Sequence, residues 1–232
     1  MNIRAAIFDK DGTLFDFQST WGVWTGLILV RIAGEDTALF EQLAQALKYD
    51  AQARKIMPGS VIVAGTPLEI AQNIQRFKSD MTVSEILNQL NEEAEHAPQV
   101  LVTDLRILTA KLRVLGLQLS VMTNDAERPA RAHLAAAGAL QLFDHVIGSD
   151  SGFGAKPEAV PLLALAAKMD VPPACCVMVG DSQHDLHSGR EAGMRVVAVL
   201  TGLAGREELS SLADVVLPDV SHLPAWISAQ NS

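Results

Sequence analysis

Asp9-Lys10-Asp11-Gly12-Thr13-Leu14 follows directly on an apolar run, residues 3–8, broken only by Arg4. The run reads as a buried strand, so two carboxylates two residues apart stand at a strand end. In an extended chain, side chains at i and i+2 lean to the same face. Like charges that close raise each other's pKa unless a cation or a proton intervenes. A chain that only had to turn here would not require the second carboxylate. The pair therefore points to a divalent cation, to phosphate chemistry, or to both. The competing reading is a hairpin, because Asp-Gly is a strong two-residue turn signal. A hairpin needs an alternating strand after the turn, whereas Thr13-Leu14-Phe15-Asp16-Phe17 leads into a tryptophan-containing helical stretch.

Three further groups each follow a strand-like run. Thr123-Asn124 follows residues 117–122. Lys156, in Gly154-Ala155-Lys156-Pro157, follows residues 145–147 and a short loop. Gly180-Asp181-Ser182-Gln183-His184-Asp185 follows residues 176–179. In an open parallel sheet, ligands bind at the carboxyl ends of the strands, so all four groups would face one crevice. An aspartate there can attack phosphorus and form an aspartyl-phosphate. Beyond that step, phosphoryl transfer needs positioning and charge neutralisation. Mg²⁺ takes octahedral oxygen ligands, and Asp9 and Asp181 can supply carboxylates. The Thr123 hydroxyl and nearby amides can hold a phosphate oxygen, and Lys156 can neutralise nucleophile and phosphoryl group as a point charge. Asp11 is placed to protonate the leaving alkoxide and then to activate water. Singly, each group has a commoner structural use. Thr-Asn after a strand is usually a helix N-cap, Gly-Asp-Ser is usually a turn, and Asp185 caps or orients as readily as it ligates. Their joint order, each after a strand, is what those uses do not explain.

These groups require a sheet to position them. Candidate strands are 3–8, 117–122, 145–147, 176–179, 196–200 and 215–217, with alanine-rich helical segments at 126–137, 158–169 and 186–192 between the later ones. Strand–helix–strand alternation of this length implies an α/β domain, a parallel sheet covered on both faces. Residues 17–98 differ, with helical periodicity and few strand signals. Apolar residues fall at 39, 40, 43, 44 and 47, and capping boxes open at Thr66-Pro67-Leu68-Glu69 and Thr82-Val83-Ser84-Glu85. Only residues 60–64 look extended. An all-helical insert is thus expected between the first and second strands, with hinges near 15–18 and 97–103. The α/β core would comprise residues 1–16 and 99–232.

The 232 residues are 49% hydrophobic, enough for a sizeable core, and carry a net charge of −9. That balance argues against nucleic-acid binding, which needs a basic face, but not against an anionic substrate beside a metal. Cys175 and Cys176 are adjacent in an apolar run and read as small buried hydrophobes of a reducing compartment. The apolar-leaning stretch 17–30 is too short and too polar to span a bilayer, and no signal peptide is visible. The protein is expected to be soluble and cytoplasmic, with no membrane partner.

The pattern Phe8-Asp9-Lys10-Asp11-Gly12-Thr13-Leu14, Thr123-Asn124, Lys156-Pro157 and Gly180-Asp181-Ser182-Gln183-His184-Asp185 resembles the four motifs of the haloacid-dehalogenase-like hydrolases. The motifs extend over residues 8–185. The helical insert resembles that superfamily's cap, and residues 180–194 most resemble the phosphoglycolate phosphatase branch. The resemblance implies a Rossmann-like core with an inserted helical cap and a Mg²⁺-dependent phosphatase. By it Asp9 is nucleophile and metal ligand. Asp11 is the general acid/base and offers its backbone carbonyl to the metal. Thr123, Asn124 and Lys156 bind the phosphoryl group. Asp181 ligates Mg²⁺, and Asp185 ligates or orients its waters. Lys10 falls at a variable position of the motif. Asp11 favours a phosphate ester over a haloacid, and 2-phosphoglycolate is the expected small substrate. A sugar phosphomutase of the same superfamily and a non-enzymatic phospho-receiver domain are the alternatives. Trp21 and Trp24, three apart on a helix, either line the pocket or pack the insert. Recognition of a substrate carboxylate is expected from the insert or hinge, through a basic side chain or backbone N–H groups. Arg31, Lys48, Arg54, Lys55, Arg76 and Lys78 are the insert's basic residues, and most such residues are simply solvated.

Overall fold

A computed structural model of the chain describes residues 2–231. The first strand, β1 (Ala5–Phe8), is followed by a long insert before the next strand of the same sheet. The insert holds α1 (Val23–Ala33), preceded by a wider helical turn at Gln18–Gly22, then α2 (Thr37–Ala46). A hairpin of β2 (Tyr49–Asp50) and β3 (Lys55–Ile56) comes next, followed by α3 (Val61–Ala64), α4 (Pro67–Gln75) and α5 (Val83–Ala94). The rest alternates as α6 (Leu105–Val114), β4 (Gln118–Met122), α7 (Glu127–Ala136), β5 (His145–Ile147), α8 (Val160–Lys168), β6 (Cys176–Gly180) and α9 (Gln183–Glu191). It closes with β7 (Arg195–Val199), α10 (Arg206–Ser210), β8 (Val215–Leu217) and α11 (Leu223–Asn231).

Six parallel strands make one sheet in the order β5-β4-β1-β6-β7-β8. All six apolar runs of the sequence become its strands. Alternation along them builds two cores. Ala6, Phe8, Leu119, Val121, Val177 and Val179 pack with side chains of α6, α7 and α11. Ala5, Ile7, Met122, Met178, Val196 and Ala198 pack with those of α8, α9 and α10. Burial on both faces is why the strands read as unbroken apolar runs. After β5 the chain crosses to the other side of β1, so the carboxyl ends of β1, β4 and β6 border the switch point where such sheets bind ligands.

A third apolar cluster consists of buried residues between Phe17 and Ala97 alone. The insert therefore packs around its own core, including the fully buried Leu43, Ile74 and Ile86. Its entry and exit strands run side by side, with Asp16 N donating to Val100 O and Val102 N to Leu14 O. Both expected capping boxes form, at Thr66/Glu69 and Thr82/Glu85.

Two expectations for the insert fail. Residues 60–64 are not extended. Ser60 caps α3, its hydroxyl accepting from Ile62 N and donating to Leu47 O, and this overrides the β-propensity of Val61-Ile62-Val63. Nor is the insert all helical. The β2–β3 hairpin turns on Asp50, whose carboxylate accepts from Gln52 N and Ala53 N. Gln18 then docks its amide on Ile56, donating to its carbonyl and accepting from its N–H. Two-residue strands leave no periodicity for a sequence to display.

Truncating the insert's core tests its share of stability. Ile74→Ala should cost about 2–5 kcal/mol, read by urea unfolding through tryptophan fluorescence. A loss below about 1 kcal/mol would show that the cluster packs loosely.

Candidate active site

Residues from every strand end near the switch point meet in one cleft of about 640 Å³, including its open mouth. Asp9, Asp11, Thr123, Asn124, Lys156, Asp181 and Asp185 all line it. Asp9 continues β1, and its backbone N–H donates to Val179 O of β6. Thr123 ends β4, its N–H on Ile147 O and its hydroxyl accepting from Asp125 N at 3.1 Å. Thr123 is buried, and that hydroxyl keeps its proton for an acceptor in the cleft.

The centre of the cleft is a buried ion cluster. Lys156 Nζ lies 2.5 Å from Asp9 Oδ1 and 2.6 Å from Asp185 Oδ1. Asp185 sits in the first turn of α9 in a capping box, its Oδ2 accepting from Ser182 N and Oγ. Carboxylate oxygens of Asp9, Asp181 and Asp185 all fall within 4.8 Å of one another. Burial, together with Asp185 and Asp11 and only partly offset by Lys156, raises Asp9 to about 7. Burial and the charges of Asp9 and Asp185 likewise raise Asp181 well above the carboxylate range. Burial alone would push Lys156 down, but Asp185 and Asp9 outweigh it and hold its ammonium above the ordinary lysine value.

Three buried carboxylates against one ammonium leave excess negative charge that a protein interior does not tolerate unpaired. Hard oxygen donors at this spacing suit a divalent cation. The backbone is shaped around them. A Cβ on Gly202 would overlap the Asp181 carboxylate, and one on Gly12, at φ +87°, would stand 2.5 Å from its Oδ2. The three ligand candidates are all carboxylates, and His184 and His187 are not among them.

The carboxylates of Asp9 and Asp11 open into the same cleft but bind different cations. The strand ends at Phe8, and Gly12 N returns to Phe15 O in a tight turn, so simple alternation stops. The Asp11 carboxylate meets Lys10 Nζ at 2.8 Å. Lys10 is fully buried. It also reaches His133 Nδ1 at 2.9 Å and Asp125 Oδ2 at 3.4 Å, and lies 5.3 Å from the Trp21 ring centroid. Burial would lower Lys10, but Asp11 and Asp125 raise it. Burial raises Asp125 to about 6 despite Lys10, and burial and Lys10 together lower His133 to about 4. In the sequence Lys10 enters only as a variable position of the motif, and Asp125 and His133 do not enter at all; alternation gives no signal there, because the strand ends at Phe8.

Asn124 lines the cleft, but its amide is otherwise engaged. Nδ2 donates to Lys156 O and to Ala64 O of the insert, and Oδ1 accepts from Lys156 N. Its side chain braces the lysine loop.

The roof comes from the insert. Phe17, Trp21, Trp24, Ile62, Val63, Ile70, Leu90, Asn91 and Ala94 line it. Trp21 and Trp24 meet edge to face at 5.0 Å and serve both the cleft and the insert's core. None of Arg31, Lys48, Arg54, Lys55, Arg76 or Lys78 lines the cleft. Arg31 pairs with Glu92 and Glu93 and Lys78 with Asp80, outside it. The roof's buried polar atoms without a hydrogen bond are Trp24 Nε1 and Asn91 Oδ1.

Residues 3–193 match the model of the haloacid dehalogenase-like hydrolases, and the chain belongs to that family. It is 30% identical over 225 residues to phosphoglycolate phosphatase of Rhodospirillum rubrum, spanning 97% of this chain and 90% of that one. Phosphoglycolate phosphatase of Escherichia coli K12 is 26% identical, spanning 96% and 91%. Among solved structures, β-phosphoglucomutase of Clostridium difficile superposes with a TM-score of 0.69 at 17% identity, covering 99% of this chain and 96% of that one. L-2-haloacid dehalogenase of Xanthobacter autotrophicus superposes at 0.63 and 18%, covering 97% and 98%. At those identities the two structures share the fold. No helix among the described residues is long and apolar enough to cross a membrane.

The acidic cluster makes a prediction that needs no substrate. Mg²⁺ at a hundred times its Kd should raise the melting temperature by about 5–10 °C, the equivalent of roughly 2.7 kcal/mol in a chain of this size. Asp181→Asn and Gly202→Ala should each remove the shift. An undiminished shift in a folded Asp181→Asn protein would place the cation elsewhere.

Proposed function

We propose that the protein is a Mg²⁺-dependent phosphatase that hydrolyses a small phosphate monoester through an aspartyl-phosphate. The observation that carries this is the meeting of Asp9 with Lys156, Thr123 and the Asp181/Asp185 carboxylates in one cleft of a haloacid dehalogenase-like chain. Asp9 Oδ attacks phosphorus and the ester P–O bond breaks, while Asp11 gives its proton to the departing alkoxide. Water then attacks the aspartyl-phosphate, Asp11 takes its proton, and phosphate leaves with Asp9 regenerated. Lys156 and the Thr123 hydroxyl hold phosphoryl oxygens, and Asn124 keeps Lys156 in place. Asp9, Asp181 and the Asp11 carbonyl would hold Mg²⁺, with Asp185 orienting; the ion would neutralise the charge that builds on phosphorus-bound oxygens. The roof excludes water, which strengthens each of these interactions. Family membership favours hydrolysis over the phospho-receiver alternative.

Asp9→Asn removes the nucleophile and one metal charge together. Turnover should fall at least a hundredfold, the scale of one essential group. Near-normal hydrolysis by a folded Asp9→Asn protein would end this reading.

The names of the relatives nominate 2-phosphoglycolate as substrate. The roof favours a second reading, an ester of an uncharged and largely apolar alcohol. It offers aromatic and aliphatic faces and no charged side chain. A carboxylate would need a cation or free N–H groups there. The ratio of kcat/KM for 2-phosphoglycolate and for a neutral alkyl or benzyl phosphate decides between them. A tenfold preference, about 1.4 kcal/mol, for either supports that substrate class. Isomerised ester in place of released phosphate would mark a mutase and refute both.

A further inference from the structure

Lys10 has no part in the chemistry just described, yet it is among the largest side chains that are fully buried. An ammonium without solvent must be fully paired, and an aliphatic side chain would fill the same slot at lower cost. The slot is apolar on two sides, with the Trp21 and Phe15 rings 5.3 and 6.0 Å from Nζ. On the remaining sides stand Asp11, Asp125 and His133. Asp125 Oδ1 accepts from Ala126 N, and its Oδ2 faces Lys10 without another hydrogen bond. Asp11 lies in the turn before Gly12, and its carboxylate takes its hydrogen bond from Lys10.

The direction of hydrogen bonding through His133 is fixed. An ammonium only donates, so Nδ1 must accept from Lys10. A carbonyl only accepts, so Nε2 must carry the proton it gives to Ala94 O, 2.6 Å away. Ala94 is the last residue of α5, in the insert, and His133 belongs to α7, against the sheet. One line of donation thus runs from the motif after β1 through His133 to the insert.

We propose that Lys10, seated by His133 and Asp125, is a positioning residue for Asp11, and that the His133–Ala94 bond ties its seat to the docked insert. The role rests on reading Asp11 as the general acid/base. Lys10 fixes the direction of the Asp11 carboxylate, and His133 fixes where the Lys10 ammonium can stand. An insert displaced from His133 would leave that imidazole free to turn and the ammonium less confined.

The test compares Lys10→Met, His133→Gln and Asp11→Asn with wild type on p-nitrophenyl phosphate and on an alkyl phosphate, whose leaving group needs a proton. Lys10→Met should lower kcat on the alkyl ester roughly ten- to a hundredfold, part of what a misplaced general acid forfeits. It should lower kcat on the aryl ester less than about threefold, leaving KM and the Mg²⁺-induced melting shift unchanged. His133→Gln should show the same selectivity, more weakly. In the Asp11→Asn background, Lys10→Met should add no further loss, because it acts through Asp11. Equal losses on both esters, or full additivity with Asp11→Asn, would make Lys10 a merely structural residue and overturn the proposal. If Asp11→Asn itself is indifferent to the leaving group, the acid/base reading fails first. Should the variants not fold, ¹⁵N spectra of wild-type His133 still decide, because a proton on Nδ1 is incompatible with donation from Lys10.

Discussion

Compensation of buried negative charge is the constraint on which this molecule depends. Asp9, Asp11, Asp125, Asp181 and Asp185 gather at the carboxyl end of one sheet, and Lys10 and Lys156 are the ammonium groups among them. No folded chain holds that arrangement cheaply. A parallel sheet makes it possible, because β1, β4 and β6 end at the same level and each can deliver a polar residue without burying a loop. Glycine clears the remaining room, Gly12 and Gly202 beside Asp181 and Gly180 beside Asp185. What the lysines leave unbalanced is the charge that calls for a metal ion.

The two lysines divide the site. Lys156 arrives from the loop after β5 and pairs with Asp9 and Asp185. Lys10 arrives from the motif itself and pairs with Asp11. A single cation between Asp9 and Asp11 would draw both carboxylates to one point. Separate partners hold them apart while both remain open to the same cleft. Asp9 is raised chiefly by burial, with Asp11 a lesser contribution, so its raised pKa comes from enclosure more than from repulsion by its neighbour.

The sheet was legible because burial on both faces writes itself as runs such as 176–179, and the helices between were legible from their periodicity. The four strand-end groups followed, since strand ends in such a sheet converge by topology. Other features had no sequence signature. The hairpin at Tyr49–Ile56 depends on the Gln18 amide, thirty-odd residues away in sequence. Residues 61–63 have strand propensity, which Ser60 and its bond to Leu47 defeat. Nothing in the sequence around Asn124 shows that its amide joins the Ala64 and Lys156 backbones. Charge is equally silent about direction. Arg31 and Lys78 are basic residues of the insert, and they turn to neighbouring acids at its surface. Lys10 fell at a variable position of the motif, and beyond the end of the strand at Phe8 no alternation announced its burial.

Among the contacts between the insert and the α/β core are two hydrogen bonds that share a design. Ala64 ends α3 and Ala94 ends α5, and helix ends carry carbonyls that lack an intrahelical partner. Asn124 donates to the first and His133 to the second. Each donor side chain also grips a lysine, Asn124 through the Lys156 backbone and His133 through the Lys10 ammonium. Two of the insert's fastenings therefore fall where Lys156 and Lys10 are held. An apolar roof alone would exclude water without registering on the floor. With these two contacts, seating the roof and aligning the charged floor become one event, so the low dielectric that makes the electrostatics strong arrives together with the geometry that makes them useful.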